Sequence, residues 1–377
     1  MKILFITHDT SRTGAPMVLL HFLKWLKENK TGVVMDVLAL QEGGMQQEFI
    51  NVSHSFFDYR DLTKKEELTF FQRISLRINL LKKASKEDFL IRDLAQKNYD
   101  FVYANTIVSL PIGREIVKLS SKALLIAHIH ELDTVIKQQL PSIEDYLPFT
   151  HKVIVPSKLV ADSLNENWNF PSEIINTVYE CAHNLETAIH PVVSKPSFTI
   201  GASGFVHWRK GYDIFIQLAR YIVKNYKAAN IYFVWVGRIN KDTKYIIDED
   251  LRKLGIKDRV NFIGEVANPT ANYSEFDVFV MTSREDPFPL VCIEVGQLGK
   301  PIISFDQATG TNEILSFTGG GFIVPYLDVE AMAEKVMLYY HDPNLKDTHG
   351  AINKEEFSKF TPAIICPQIF SIIEEQL

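Results

Sequence analysis

Cysteine is scarce in this chain of 377 residues. The three cysteines, Cys181, Cys292 and Cys366, are far apart, odd in number and without C-x-x-C spacing. A disulfide framework or a zinc knuckle needs paired or closely spaced cysteines, so neither is expected. This cysteine usage is typical of a reducing compartment, and we predict a cytoplasmic location.

Long apolar runs are also missing. No stretch approaches the ~20 apolar residues of a membrane span, and the first residues, MKILFITHDTS, contain too short an apolar run for the core of a secretory leader. We therefore expect neither a transmembrane span nor a signal peptide. A net charge of −6 creates no overall field that attracts nucleic acid, so no nucleic-acid partner is predicted.

Two common ligand-binding signatures are absent from the sequence. The first strand and turn lack the G-x-G-x-x-G pattern of dinucleotide-binding domains, and no Asp-x-Asp metal pair stands in a plausible loop. What the N-terminus does contain is a buried-type strand at 3–6, a turn with Gly14 and a helix pattern over 17–27. This order begins a nucleotide-type α/β domain, in which Gly14 fits the turn geometry.

Strand and helix patterns alternate along most of the chain. Buried-type strands are predicted in the first half at 3–6, 33–40, 101–104, 123–129 and 152–156. From residue 198, six further strands alternate with helices: FTIGAS, IYFVWVG, VNFIG, DVFVMT, PIISF and GGFIV. Repeated β/α units predict parallel, doubly wound sheets in an α/β fold, and a chain of this length accommodates two domains. We predict an N-terminal domain at 1–190, a C-terminal domain at 191–359 and a terminal helix at 360–377.

The stretch 281–303 carries the most informative residues. The strand DVFVMT ends at Thr282, and a helix pattern runs from Leu290 to Leu298. This order places Asp286 at the carboxyl end of a parallel strand and Glu294 one turn into the next helix. Ligands bind in that crevice of an open α/β sheet, and a helix N-terminus attracts phosphate. The structural alternative is a surface loop and an amphipathic helix with two solvated carboxylates.

The run S-R-E-D-P-F-P-L-V-C-I-E, followed by G-K-P-I-I, resembles the E-x7-E motif of retaining glycosyltransferases of the GT-B fold, in family 4 (glycosyl transferases group 1). The resemblance implies two Rossmann-like domains that face each other across a cleft, with the last helix crossing back to the first domain. It places Asp286 beside the hydroxyls of the donor sugar and Glu294 on the ribose of the nucleotide. The first acid is Asp instead of the usual Glu, so its carboxylate sits one methylene further back.

A second departure from the family concerns the diphosphate. The family often has glycine at the position of Pro289, and proline has no N–H to give to a phosphate. The amides of Leu290 and Val291 would then have to make that contact. Phe288, between the two acids, is placed with them in the donor site.

The segment HWRKGYD is predicted to hold the phosphates. Departure of a nucleoside diphosphate builds negative charge on its β-phosphate, and a catalyst needs fixed positive charge there. By resemblance, Lys210 matches the lysine of the family's K-G pair and follows a glycine turn at Gly204. The family's arginine usually stands in an earlier G-R pair, where this chain has Phe205, and whether the neighbouring Arg209 replaces it is open. Helix amides and Lys210 can carry the charge that a metal otherwise would, so we predict activity without a divalent ion.

Recognition of the base is assigned to two places in the C-terminal domain. Gly237 and Arg238 follow the strand IYFVWVG, and the main chain near Phe262 and Ile263 could support an edge or face of the base. Both strands are also expected to bury most of their side chains in the sheet. The sequence does not choose among UDP-, GDP- and ADP-linked donors.

Four candidates lie in the N-terminal domain. T-G-A-P resembles the family turn that approaches donor and acceptor, which makes Gly14 and Ala15 candidates for donor contact and Arg12 a candidate for acceptor contact. H-I-H-E-L resembles the family segment with a histidine near the reacting carbon. His130 is favoured over His128 because it stands at the carboxyl end of the strand. A histidine at a strand end is otherwise more often a hydrogen-bonded structural residue.

A basic helical pattern covers residues 63–98, where apolar residues at helical spacing are interspersed with arginine and lysine. Such a helix could lie in the lipid headgroup layer at the inner face of a membrane, giving peripheral contact. It could equally pack on its own domain with a solvated cationic face. Packing is favoured because packing helices are commoner than membrane anchors.

The resemblance implies an enzyme of polysaccharide biosynthesis that transfers a hexosyl group from a nucleotide-diphosphate sugar to a glycan or lipid-linked acceptor, with retained anomeric configuration. A nucleotide-sugar epimerase of the same fold would react without an acceptor, and a phosphorylase would need phosphate or pyridoxal phosphate. A nucleotide-sugar binding protein without transferase activity is the alternative from another class, given Asp286 and the missing early arginine.

Overall fold

The computed structural model describes residues 1–63, 85–183 and 197–376, which form two compact units. The first unit comprises Met1–Val155, Ser163–Thr177 and Cys366–Leu377, and the second comprises Pro156–Asp162 and Val178–Ile365. Most of the basic pattern at 63–98, with its predicted membrane contact, lies outside the described residues. The predicted domain boundary at residue 190 lies outside them as well.

The first unit is built on parallel strands. These are β1 (Lys2–Thr7), β2 (Val34–Ala39), β3 (Ser55–Asp58), β4 (Phe101–Asn105), β5 (Leu124–His128), β6 (Thr150–Val155) and β7 (Ile175–Thr177). They form one sheet in the order β3-β2-β1-β4-β5-β6-β7. Its helices are α1 (Gly14–Asn29), α2 (Gln46–Val52), α3 (Tyr59–Thr63), α4 (Lys86–Gln96), α5 (Leu110–Leu119) and α6 (Asp133–Gln139). The helix α7 (Lys158–Trp168) belongs to this unit from Ser163 onward.

The central strands of this sheet are nearly continuous apolar runs because both of their faces are covered. Every residue of β4 is buried, and so is β1 after its first residue. The register aligns Thr7 of β1 with Asn105 of β4, and Asn105 with His128 of β5. Three polar side chains therefore stand in one row at the carboxyl edge of an otherwise apolar sheet.

The second unit holds a parallel sheet of six strands. These are β8 (Phe198–Ser203), β9 (Ile231–Val236), β10 (Val260–Gly264), β11 (Val278–Met281), β12 (Ile302–Phe305) and β13 (Gly321–Val324), in the order β10-β9-β8-β11-β12-β13. Its helices are α8 (Tyr212–Asn225), α9 (Lys241–Leu254), α10 (Thr270–Ser274), α11 (Leu290–Gln297), α12 (Thr311–Thr318), α13 (Val329–His341) and α14 (Pro343–Phe357). The last helix, α15 (Pro362–Glu374), belongs to the first unit from Cys366 onward, where the Phe370 ring lies 6.1 Å from Trp25.

Amphipathic helices cover this second sheet. Helix α8 buries Ile214, Phe215, Leu218 and Ile222 on one stripe, at the spacing of a helix face. The ring of Phe215 meets Trp235 of β9 edge to face, with 5.4 Å between centroids. Burial of such apolar side chains is the main force that holds the helix on the sheet.

Strand order reverses beside β8, which has β9 on one side and β11 on the other. The chain therefore leaves β8 in one direction and later returns on its opposite side. Connections that diverge in this way open a crevice at the carboxyl ends of the strands, and ligands of open α/β sheets bind there. The segments that follow β8 and β11 are the ones that carry the predicted cations and the first predicted acid.

The predicted α/β fold with two doubly wound parallel sheets is confirmed. The short strands β3 and β7 and the helix α14 are additions that the sequence pattern did not indicate. Gly14 is the first residue of α1, and it is not among the residues with positive φ, so the interpretation of Gly14 as a turn glycine is wrong. Among the helices of the described ranges, none is both long and apolar enough to cross a bilayer.

Candidate active site

The turn after β8 carries the predicted cations. Residues Trp208–Lys210 form a 3₁₀ turn, and Gly211 follows with a φ of +71°. A Cβ atom at Gly211 would overlap the carbonyl oxygen of Thr282, just beyond β11. Thr282 Oγ1 donates to the carbonyl oxygen of Lys210 over 3.3 Å. Glycine at this position therefore lets the turn dock on the end of β11.

Gly204 leaves room for the side chain of Lys210. Its φ is +140°, and a Cβ atom there would stand only 3.2 Å from Cδ of Lys210. Any larger residue would be strained by its backbone angle and would also push on the lysine stem. The glycine turn that the resemblance placed before the K-G pair thus has a local physical reason in this chain.

Arg209, Lys210 and Asp286 come together in the second unit, and we call these three residues the cation site. Lys210 Nζ donates a hydrogen bond to Asp286 Oδ2, and Arg209 Nη1 lies 3.6 Å from Asp286 Oδ1. Arg209 also donates to the carbonyl oxygen of Glu285 over 2.8 Å. Asp286 is buried, with 6% of its surface exposed. Two cations face one buried carboxylate, so these three side chains carry a net positive charge.

Arg284 is a third cation beside the same turn, but its charge is already matched. Its guanidinium donates to both carboxylate oxygens of Asp213, over 3.0 and 2.8 Å, and to the carbonyl oxygen of Trp208 over 2.7 Å. Hydrogen bonding to Asp213 raises the pKa of Arg284 above its usual range. Arg284 therefore stabilises the turn, and the cation site is the candidate source of positive charge for a ligand.

The N-terminus of α11 lies beside the cation site. The helix begins at Leu290 directly after Pro289, and within the described ranges no side chain caps it. Val291, Lys210 and Asp286 line one small cavity at the carboxyl ends of β8 and β11. The first amides of a helix point their N–H groups outward with a partial positive charge, which suits a phosphate.

Glu294 has an unusual protonation equilibrium. It is half-buried on α11, and burial raises its pKa to about 7. The charge of Glu294 also contributes to a raised pKa of Tyr273, after burial of that phenol, and the Tyr273 hydroxyl lies 2.7 Å from Ser203 Oγ. A carboxyl group whose pKa is raised by burial toward neutral pH is a functional candidate, because sites that bind or react often perturb a pKa in this way.

Two glycines shape the region assigned to the base. Gly237 has a φ of +145°, and a Cβ atom there would overlap the carbonyl oxygen of Gly204, so the turns after β8 and β9 touch. Arg238 follows, with its guanidinium 4.7 Å from the centroid of the Phe205 ring. An arginine stacked on an aromatic ring keeps a defined position while its donors face outward.

Phe262 and Ile263 lie at an irregularity of β10. The pairing of β10 with β9 shifts register between Phe262 and Gly264, so Ile263 falls in a bulge. The Phe262 ring stacks on Trp235 with 5.7 Å between centroids and 19° between planes. The side chain of Phe262 therefore belongs to the sheet core, as expected, while the bulge leaves main-chain groups unpaired by the ladder.

Phe288 packs inside the second unit. Only 4% of its surface is exposed, and its ring lies 5.0 Å from Tyr179 and 5.7 Å from Phe360. Its ring is thus part of an aromatic cluster that supports the segment between the two acids.

Gly14 and Ala15 begin helix α1 in the first unit. Among the described residues, no atom stands within 4 Å of a Cβ built on Gly14, so packing does not require glycine there. The carbonyl oxygen of Ala15 accepts a hydrogen bond of 3.0 Å from Asn105 Nδ2. Arg12, the acceptor candidate, pairs with Glu48 Oε1 over 2.9 Å. Open space at Gly14 is compatible with close approach of a ligand.

His130 stands two residues beyond β5, and its ring lies against that of His128, with 3.9 Å between ring centroids and 36° between planes. His128 is 2% exposed, and its Nδ1 lies 2.6 Å from the hydroxyl of Tyr103. Burial, followed by the charge of His130, holds the pKa of His128 well below its usual range. His130 is half-buried, and its Nε2 lies 3.0 Å from Asn105 Oδ1. Of the two histidines, His130 has the more accessible ring.

Three further residues carry too little sequence signal to be predicted. In the sequence, Asn105 only marks the end of a strand. Its polar side chain at the carboxyl edge of the sheet is the one signal that could have indicated a site residue. Ser283 Oγ lies within 3.4 Å of Asp286 Oδ2, and only the fold brings Tyr273 next to Ser203. Serine and tyrosine are too common in such loops to be singled out.

Part of this chain matches known proteins in sequence. Residues 188–356 match the family described as Glycosyl transferases group 1. Capsular polysaccharide biosynthesis glycosyltransferase CapM of Staphylococcus aureus is 30% identical over 192 residues, which cover 50% of this chain and 49% of CapM. An uncharacterized glycosyltransferase of Haemophilus influenzae is 26% identical over 147 residues, or 39% of this chain and 40% of the relative. The chain thus spans about half the length of these curated relatives, or less.

Solved structures resemble the whole chain. Anabaena HepE in complex with UDP-glucose superimposes with a TM-score of 0.80 at 18% identity, covering 100% of both chains. Sucrose-phosphate synthase from Thermosynechococcus elongatus does so with a TM-score of 0.77 at 17% identity, covering 100% of this chain and 99% of the synthase. At sequence identities of 17% and 18%, the structural similarity establishes the fold of this chain.

Two parallel Rossmann-like sheets, with a cation site at the carboxyl edge of the second, define the class as a protein of the GT-B fold. The match to the glycosyl transferases group 1 family covers residues 188–356, which is less than half of the chain. The predicted GT-B fold and the predicted likeness to the group 1 family are thereby confirmed.

Proposed function

We propose that this protein is a retaining glycosyltransferase that moves a hexosyl group from a nucleoside diphosphate sugar to a glycan or lipid-linked acceptor. The observation that carries the proposal is the cation site, where Arg209 and Lys210 converge on Asp286. It lies inside the residues that match the group 1 family. An anion with more than one negative charge is the ligand that two such cations best accommodate.

The diphosphate of the donor would compete with Asp286 for Lys210. Diphosphate carries more charge than one carboxylate, and the N-terminus of α11 adds its N–H groups at Leu290 and Val291. Asp286, once released from the lysine, would turn to the hydroxyls of the sugar. Ionised Glu294 would hold the ribose, and the base would rest near Gly237, Arg238 and the bulge at Ile263.

In the transfer step, the bond between the anomeric carbon and the β-phosphate oxygen would break, and the acceptor hydroxyl oxygen would bond to the same carbon while its proton passes to the departing phosphate. Negative charge grows on the departing phosphate while the sugar passes through an oxocarbenium-like state. Lys210 and Arg209 would stabilise that charge without reorganising, which is the largest effect that such a site offers. His130 would lie near the anomeric carbon, as the family resemblance implies, and no divalent metal would be needed.

The relatives support the choice of substrates. CapM is named for capsular polysaccharide biosynthesis, and the HepE structure holds UDP-glucose. A nucleotide hexose as donor and a growing polysaccharide, or its lipid-linked precursor, as acceptor are therefore the substrates to test first.

A donor and acceptor screen tests the proposal. Purified protein is incubated with UDP-, GDP- and ADP-hexoses, with and without pooled oligosaccharide and lipid-linked acceptors. Released nucleoside diphosphate is measured, together with the mass and the anomeric NMR coupling of any product. We expect acceptor-dependent release and a product with the anomeric configuration of the donor, from one class of donor.

Two variants sharpen the screen. Lys210→Met removes the main cation and should lower turnover by ~100-fold or more. Lys257→Met removes an exposed lysine of the same unit and should leave turnover unchanged. Donor binding without any release of nucleotide would instead support a binding protein, acceptor-independent change of the sugar would support an epimerase, and an inverted product would contradict retention.

A further inference from the structure

One buried amide in the first unit joins two of the predicted site positions. Asn105, at the end of β4, is 0% exposed. Its Nδ2 donates to the carbonyl oxygen of Ala15 at the start of α1 over 3.0 Å, and its Oδ1 lies 3.0 Å from Nε2 of His130. A buried amide with a partner at both ends has a fixed orientation, because each lost partner would leave a polar group unsatisfied.

The direction of these hydrogen bonds determines a proton position. A main-chain carbonyl can only accept, so the NH₂ group of Asn105 must face Ala15. The Oδ1 atom then faces His130, and because this oxygen can only accept, Nε2 must carry a proton. Any gain or loss of a proton by the His130 ring is thereby confined to Nδ1.

The backbone beside Asn105 is held in an uncommon conformation. Thr106 has a φ of +92°, which a β-branched residue rarely adopts, and its N–H donates to the carbonyl oxygen of His128 over 2.8 Å. Ser109 Oγ donates to the main-chain oxygen of Asn105 over 3.1 Å. Strain of this kind persists only where the surroundings dictate the geometry, and it is concentrated at functional sites.

The neighbouring rings limit the movement of His130 from the other side. The ring of His128 lies 3.9 Å away, centroid to centroid, and His128 is itself fixed by the Tyr103 hydroxyl. The main-chain N–H of His130 donates to Glu131 Oε2 over 2.9 Å. Contact with the tilted His128 ring restricts the movement of the His130 ring, and the hydrogen bond to the Asn105 amide selects its orientation.

We propose that Asn105 is the positioning residue of His130: it fixes the orientation of the imidazole, keeps a proton on Nε2 and ties the ring to the start of α1 at Ala15. Only the kinetic consequence of this inference rests on the proposed function. The proton position and the ring orientation are measured directly and do not depend on that function.

The direct test is nuclear magnetic resonance of protein labelled with ¹⁵N-histidine. His130 is assigned by its loss in His130→Gln, and the nitrogen shifts report which ring nitrogen carries the proton. We expect protonated Nε2 in the wild type. Asn105→Ala removes the acceptor and should give a mixture of the two tautomers, whereas the isosteric Asn105→Asp keeps an acceptor at the same place and should keep the proton on Nε2.

Ser109→Ala is the matched control, since it removes a buried hydrogen bond to the same residue but leaves the amide in place. It should leave the His130 signals unchanged. A wild-type His130 without a proton on Nε2 would overturn the proposal. The proposal would also be overturned if the Nε2 signal were kept in both Asn105→Ala and Asn105→Asp, or lost in both. Circular dichroism shows whether each variant is folded, and Asn105→Asp still provides the test if Asn105→Ala is not.

The kinetic readout separates positioning from general damage. If the proposed transfer reaction is found, Asn105→Ala should lower kcat about tenfold or more, with the Kd for the nucleoside diphosphate unchanged, because the cation site is in the other unit. A lower affinity with unchanged kcat would contradict a positioning role. If no donor is turned over, the proposed function fails, and the resonance experiment still decides the relation between Asn105 and His130.

Discussion

Lys210 and Asp286 form an ion pair at the carboxyl edge of the second sheet, although 76 residues separate them in the chain. Asp286 is buried and Lys210 is half-buried, so the pair is only partly screened by water. A buried carboxylate needs a cationic or hydrogen-bonding partner, and here it has Lys210, Arg209 and Ser283. The cations that would meet a diphosphate are therefore held in place before any ligand arrives.

Replacing Asp286 by Asn should strengthen the binding of a nucleoside diphosphate. Loss of the carboxylate frees both cations and removes a negative charge that repels the phosphates. We expect roughly tenfold tighter binding of the nucleoside diphosphate, or ~1.4 kcal/mol, measured by calorimetry. Turnover of the sugar nucleotide should fall at the same time, because the contact to the sugar hydroxyls is weakened.

Asp286→Glu is the matched control for that experiment. It keeps the charge and restores the acid usual at the first position of the E-x7-E motif, so nucleotide affinity should stay close to that of the wild type. Weaker nucleotide binding by Asp286→Asn would show that the carboxylate organises the cations more than it competes for them.

Donor binding should depend on pH through Glu294. Burial raises its pKa in the folded protein to about 7, well above the ordinary value near 4.3. If ribose binding needs the ionised carboxylate, the fraction in that form rises about tenfold between pH 6 and pH 8, and the Kd for the donor should fall by a similar factor. Glu294→Gln should bind more weakly at pH 8 and show a flat profile over this range.

The same shift affects folding stability with the opposite trend. Between pH 4.3 and 7 the folded protein retains a proton that the unfolded chain releases, so the contribution of Glu294 to the free energy of unfolding falls as pH rises through this window. The gain in Tm of Glu294→Gln over the wild type should therefore be larger at pH 8 than at pH 5. A constant difference would mean that Glu294 titrates normally.

Arg209 and Arg238 should have separable roles. Arg209 lies in the cation site, whereas the guanidinium of Arg238 stacks on Phe205, which stands where the family has its early arginine. We expect Arg209→Met to lower kcat by roughly 10-fold to 100-fold. Arg238→Met should raise KM for the donor with little change in kcat, because it removes a contact that is equal in ground and transition states. The reverse pattern would identify Arg238 as the replacement for the missing arginine.

Activity should persist without divalent ions. Fixed positive charge from Lys210, Arg209 and the N-terminus of α11 would take the part that a metal plays at other diphosphate sites. We expect turnover in excess EDTA within about twofold of turnover in magnesium. Complete loss in EDTA, restored by magnesium, would contradict this prediction.

Much of the second unit could be predicted from sequence because its signals are local. Lys210 and Asp286 each follow a strand, and glycines and apolar runs mark those strands clearly. Their ion pair is not a local property, since it depends on β8 and β11 being neighbours and on the room that Gly204 leaves. The protonation of Glu294 likewise depends on burial by elements distant in sequence.

The first unit was harder to predict at the level of contacts. The hydrogen bond from Asn105 to Ala15 depends on the register between β1 and β4, which no residue pattern specifies. Gly14 illustrates the converse problem, because a glycine after a strand suggests a turn, yet here it starts a helix. The short strands β3 and β7 have no continuous apolar run and lie at the sheet edges, so periodicity alone did not reveal them.

The contact between Gly204 and Gly237 sets a practical limit for engineering donor preference. The two turns touch through their backbones, so even one added methyl group at position 237 would force them apart and disturb the lysine stem and the stacked arginine together. Libraries aimed at new nucleotides are better directed to positions 205, 238 and 263, whose side chains can vary while both glycines are kept.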